Sequence, residues 1–174
     1  MTIVGGLRAR LIKESFYQMI YASLDELEWL ESGRWHNDVT VRATTVDDDE
    51  EIVPNVVAIV DDDVNSVEAE MGSRLTEFRA PYYIDVYAQS AAVGMHLATD
   101  VRDILEGRFP SIERDAPNFM VMDYSLATPT DLFVCDIENV ELNRAQTWNK
   151  KHEKYWYSIY CEILDTYGDE NDDV

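Results

Sequence analysis

Three histidines (His36, His96 and His152) and two cysteines (Cys135 and Cys161) carry the most recognisable chemistry in this sequence, and none has the spacing of a site. No HExxH and no CxxC occurs, so the usual ligand pattern of a catalytic or structural zinc is missing. Nucleophilic catalysis has no local support either, because GxSxG is absent and Cys135 sits in an apolar run without a neighbouring base. Neither GxxxxGK[ST] nor a GxGxxG turn is present to cradle a phosphate. The run Asp61-Asp62-Asp63-Val64-Asn65-Ser66 places side-chain oxygens at alternate positions, as a calcium loop does. It fails where the sharp turn requires glycine and has Ser66, and where a closing bidentate glutamate is required and Gly72 stands. With 35 acidic residues in 174, any chosen carboxylate pair is uninformative. The chain is therefore read as non-enzymatic, with no catalytic residue, metal or cofactor.

The charge is the stronger signal. Fourteen Lys and Arg against 35 Asp and Glu give a formal charge of −21, which argues against direct gripping of nucleic acid. A hydrophobic fraction of 46% is too high for a disordered acidic chain and sufficient for a packed core. The charges are sorted into blocks. Ten acids and no base lie between Asp47 and Glu70, and five more acids lie between Asp165 and Val174. Arg8, Arg10 and Lys13 cluster near the start, and Arg144, Lys150, Lys151 and Lys154 form a second basic block. The segment from Trp148 to Trp156 mixes bases with aromatics, as single-strand binders do. In so acidic a chain, contact with an acidic protein patch is the more economical reading. No apolar run is long enough to span a membrane and no signal peptide is recognised, so synthesis in a cytoplasm is expected. Cys135 and Cys161 are read as reduced core thiols, with a bridge open to them if their strands are neighbours.

The elements that must position these blocks follow from periodicity. Leu7 to Glu31 carries apolar residues at three- and four-residue steps, the pattern of a long amphipathic helix stopped at Gly33. Val39 to Val46 and Asn55 to Val60 read as strands, joined by the acidic run Asp47 to Glu51 as by a hairpin tip. After a turn at Asp61 to Asp63, Val67 to Leu75 reads as a strand bent at Gly72. Glu77 to Ala88 is a further strand, in which Pro81 suggests an edge or a strand start. Ser90 caps a second helix with the stripe Val93, Leu97, Val101, Ile104 and Leu105, closed by Gly107 and Pro110. Phe119 to Ser125, Leu132 to Leu142 and Tyr155 to Tyr167 complete the strands, the last by its alternation and β-rich composition. The expectation is a single α+β domain over 1–167, a mostly antiparallel sheet flanked by two helices, followed by an acidic flexible tail over 168–174.

This order and several local phrases resemble the tail terminator (tail-completion) and neck proteins of long-tailed bacteriophages. The phrases are Val39-Thr40-Val41, Pro54-Asn55-Val56-Val57-Ala58-Ile59-Val60, Glu70-Met71-Gly72 and Tyr83-Ile84-Asp85-Val86-Tyr87-Ala88. They continue through the helix Met95 to Gly107 and close on Tyr155-Trp156-Tyr157-Ser158. The similarity spans roughly Leu7 to Tyr167 as a pattern of element types, and the chain departs from it by its heavy acidity around Asp47 to Asp63 and in its tail.

The resemblance implies a hexameric structural ring at the head–tail junction of the virion, assembled in the host cytoplasm. Such a ring caps the tail tube, ends its polymerisation and joins the tail to the head connector. Its partners would be further copies of itself, the tail tube protein and the head connector or stopper protein. DNA would pass through without specific binding, because a negative wall repels phosphates and releases no counterions. Asp61, Asp62, Asp63, Glu68 and Glu70 are expected on the channel side. Asp47, Asp48 and Asp49, with Arg74, Arg79, Trp148, Lys150, Lys151 and Lys154, are expected at ring or partner interfaces. The competing readings are another neck ring of the same fold and an acidic inhibitor that mimics DNA before a DNA-binding enzyme.

Overall fold

The structure, a computed structural model, describes residues 5–35, 38–44, 55–61, 65–68, 75–108, 117–125, 127–144 and 155–168. The elements in chain order are α1 (Gly5–Leu30), β1 (Val39–Arg42), β2 (Asn55–Asp61), β3 (Asn65–Glu68) and β4 (Leu75–Ala88). They continue with α2 (Ala91–Leu105), β5 (Asn118–Asp123), β6 (Thr130–Arg144) and β7 (Tyr155–Gly168). This is the α+β arrangement of a mostly antiparallel sheet with two helices. The strands lie in the order β1-β2-β4-β7-β6-β5, with β3 paired to β4 off that path.

One core lies between the sheet and both helices. Alternation supplies it: Ala80, Tyr82, Ile84, Val86 and Ala88 of β4 are buried, as are Tyr157, Ile159, Cys161 and Ile163 of β7. Phe16 of α1 is fully buried between Tyr82 and Phe119, at ring-centroid distances of 4.9 and 5.6 Å. Ser90 caps α2 by accepting from the Val93 N–H at 3.3 Å, and Gly107 ends the helix region at φ +69°. Cys135 and Cys161 are free and buried, and burial pushes both thiols above their ordinary range.

Helix α1 spans the mouth of the curled sheet. β1 and β5 are the two outer strands of the path, and α1 reaches both. The Ser15 hydroxyl accepts from the Met122 N–H at 2.9 Å, beside the register shift between Val121 and Met122. The Tyr17 hydroxyl donates to the Val41 carbonyl at 2.9 Å. One helix thus covers polar groups on both strands that end the sheet.

The structure corrects four sequence readings. β1 and β2 pair in parallel, Val39 with Asn55 and Arg42 with Ala58, so the two strands do not form a hairpin, and the acidic run Asp47 to Glu51 lies outside the described residues. It belongs to the twelve residues between Arg42 and Asn55, about the length at which a crossover can return the chain for parallel pairing. The Asp61 to Asp63 interval does not reverse the chain either, because β2 and β3 both run antiparallel to β4. From Asp61 to Asn65 is four steps, against three from Tyr82 to Arg79 on β4, so one residue is gained there. Of the strand read over Val67 to Leu75, Val67 and Glu68 end β3 and Leu75 starts β4, which pair with each other, and the bend read at Gly72 lies outside the described residues. Pro81, read as an edge signal, lies inside β4 where pairing to β2 has ended and pairing to β3 has not begun. A residue with no N–H to donate is tolerated at such a break.

Gly94 marks the closest approach of α2 to the sheet. A Cβ there would stand 2.7 Å from Tyr157 Cε2 and 3.2 Å from Ala88 Cβ. Gly94→Ala is expected to cost about 1–3 kcal/mol through this overlap, despite the better helix propensity of alanine. Urea unfolding checks it: the midpoint should fall with an unchanged slope.

Candidate interaction surface

The sheet face away from the helices is paved by its central strands. Tyr87 stacks on Trp156 at 5.8 Å, and Tyr83 tilts against Tyr160 at 5.4 Å. Val56 and Ala58 are buried beside Tyr87 on this side. Between the rings, the Ser158 hydroxyl donates to Asp85 at 2.6 Å.

A polar cluster follows where β6 slips against β7. Asn139 adopts φ +53° inside the shift between Glu138 and Glu141, and from there its Nδ2 donates to Glu162 at 2.8 Å. The Tyr160 hydroxyl donates to the same carboxylate at 2.6 Å and Arg79 at 3.2 Å. These donors, Tyr160 and Asn139 first, hold the Glu162 carboxyl below the usual carboxylate range. The same bond pushes the Tyr160 phenol up to about 12. The bulge also sets both Glu138 and Glu141 on the outer face, where with Asp136 they stand exposed along β6. Met120 of β5 and Val134 of β6 pair across that face and are 40% and 48% exposed.

The helix side carries a contrasting surface. Arg10, Lys13, Glu14 and Tyr17 of α1 and Arg42 of β1 line an open groove of about 540 Å³, three bases to one acid. Tyr17 stacks on Tyr21 at 6.3 Å, and farther along the helix Trp29 is 81% exposed. A tryptophan so exposed on a regular helix is the kind of side chain that anchors protein contacts.

Of the residues expected at the channel, Asp61 ends β2 and Glu68 ends β3, both along the same side of β4. Asp62, Asp63 and Glu70 lie outside the described residues, as do Asp47, Asp48, Asp49, Arg74, Trp148, Lys150, Lys151 and Lys154. Residues 169–174 of the acidic tail also lie outside them, while Gly168 still belongs to β7. Arg79 is described, exposed, and engaged with Glu162 of its own chain.

Sequence reasoning missed a buried polar centre. Asp100 of α2 accepts from Arg34 Nε and Nη2, both at 2.9 Å, and from Trp35 Nε1 at 2.8 Å. His96 Nε2 stands 3.6 Å away. Trp35 also accepts through its carbonyl from Asn55 Nδ2 at 3.5 Å, so the centre ties the end of α1 to α2 and to the start of β2. The signal was present, since Asp100 falls on the apolar stripe of Val93, Leu97 and Ile104. Among the described residues no group of His, Cys, Asp and Glu is arranged to hold a metal ion. No family model matches the chain, and no curated protein matches it.

Proposed function

We propose that the chain is a structural ring protein of a bacteriophage head–tail junction, which caps the tail tube, ends its growth and joins it to the head connector. The observation that carries this reading is the order of elements. One helix, four strands, a second helix and three strands occur in the succession that the family resemblance leads one to expect. The charge of −21 fits a channel wall that lets DNA pass without holding it. Two differently composed exposed surfaces on one chain fit head-to-tail association of copies, the mode that closes into rings.

The test is native molar mass by light scattering across salt, with and without Mg²⁺ and with purified tail tubes. A hexamer is expected, formed in higher salt or on the tubes as self-repulsion is screened. A monomer indifferent to salt, Mg²⁺ and tubes would overturn the ring. If that monomer also bound a basic DNA enzyme, the acidic-mimic reading would replace it.

A further inference from the structure

The outer edge of β5 has the form of a place for one more strand. β5 ends the sheet, and among the described strands only β6 pairs with it. The Pro117 carbonyl, just before β5, accepts from the Ile137 N–H of β6, whereas the Met122 N–H donates away from β6 to Ser15. Backbone groups at odd positions of β5 therefore bond inward, and those at even positions point outward. Ser15 meets Met122, but the N–H and C=O of Met120 point the same way with no described strand to meet them. Beside this edge runs a groove of about 350 Å³, lined by Gln18, Met19 and Ala22 of α1 and by Phe119, Met120 and Met122 of β5. Steps of three and four carry that helix face onward from Ser15, Gln18 and Ala22 to Asp25, Glu26 and Trp29. Trp29 is exposed, and Asp25 and Glu26 form no ion pair with a described residue. No Lys or Arg stands between Lys13 and Arg34, so this end of the face is anionic.

We propose that the groove receives an extended segment of a partner protein, which adds to the sheet beside β5. Its backbone bonds to the Met120 edge, and its alternate apolar side chains enter the groove. A Lys or Arg at one end meets Asp25 and Glu26 and lies on the Trp29 ring. The backbone edge selects a strand, and the acids beside an exposed indole select a cation. A second copy is the poorer occupant, because it brings a charge of −21 to a contact that already carries −21. From Ser15 to Trp29 is about 21 Å at the rise of a helix, which about six or seven extended residues span. The inference goes beyond the ring reading and stands or falls without it.

Two dye-labelled heptapeptides of alternating valine and threonine test it, one with two lysines at its start and one with them at its end, read by fluorescence anisotropy. One of the two should bind with a Kd at or below about 1 mM. N-methylation of one of its two alternate sets of amides should weaken binding at least about tenfold, because strand addition needs those N–H groups. Met120→Pro removes an outward N–H without touching the ladder to β6 and should weaken binding as much. Asp25→Lys/Glu26→Lys should weaken it by a similar factor and transfer preference to the same peptide carrying two glutamates, a recovery that also shows the variant is folded. Failure of both lysine peptides to bind at about 1 mM overturns the proposal. So does binding that N-methylation, Met120→Pro and the charge reversal all leave unchanged. If Met120→Pro instead abolishes association between copies, a second copy is the occupant and the assignment to a partner protein falls.

Discussion

Asp100→Ala is expected to remove about 2–3 kcal/mol of stability, the cost of leaving the buried Trp35 N–H and part of the half-buried Arg34 guanidinium without an acceptor, while Arg34 keeps its ion pair with Glu31. Asp100 is 7% exposed and accepts from Arg34 Nε and Nη2 and from the Trp35 indole, while Arg34 Nη1 donates to Glu31. Alanine leaves the guanidinium and the indole N–H without that acceptor, and water reaches the site poorly. The Asp100 hydrogen bonds also raise the Arg34 guanidinium above its ordinary value. Asp100→Asn keeps one acceptor oxygen and should lose less. The double replacement Arg34→Met/Asp100→Leu, which removes both charges, should come closer to the unaltered chain than Asp100→Ala does. Urea unfolding of the three variants measures this, and an Asp100→Ala chain within about 1 kcal/mol of the parent would show that the centre contributes little.

Phe16→Ala carries the other large effect, about 3–5 kcal/mol for removing a fully buried ring. The ring fills the space between Tyr82 on β4 and Phe119 on β5, so its loss opens a cavity under α1 between the centre of the sheet and one outer strand. A local readout separates this from a general loss. The Met122 amide donates to Ser15, one residue from Phe16, and should lose hydrogen-exchange protection before the amides of β7 do. Equal loss of protection in both places would mean that α1 and the sheet open only together.

Much of the fold was legible because the strands declare themselves by parity. Tyr155 to Tyr167 could be read as a strand because Tyr157, Ile159, Cys161 and Ile163 share one side, and that side is the buried one. The parallel pairing of β1 and β2 was not legible, since a charged run between two strands looks like a turn whatever the partner's direction. The continuation of β2 into β3 was hidden for the same reason: three aspartates interrupt an apolar pattern without reversing the chain. The candidate surface was legible as blocks of charge and illegible as a surface. Arg10 and Lys13 were visible as basic residues of a helix, but their place beside Arg42 depends on α1 lying against β1. The bulge at Asn139, which brings Glu138 and Glu141 to one face, breaks the period that a sequence reading assumes.

The helix that bridges the two outer strands also sets a timetable for the nascent chain. Ser15 and its partner Met122 are 107 residues apart, so at roughly 5–20 residues per second the helix waits about 5–20 s before that strand is made. Through this interval Phe16 can meet Tyr82 of β4 but not Phe119 of β5, so the buried stripe of Leu11, Ile12, Phe16 and Ile20 is only partly covered. A polypeptide released before β5 would keep part of that stripe exposed, a substrate for chaperones and proteases. Even the finished chain must close long loops before α1 gains its contacts, which places it among slow folders for its size.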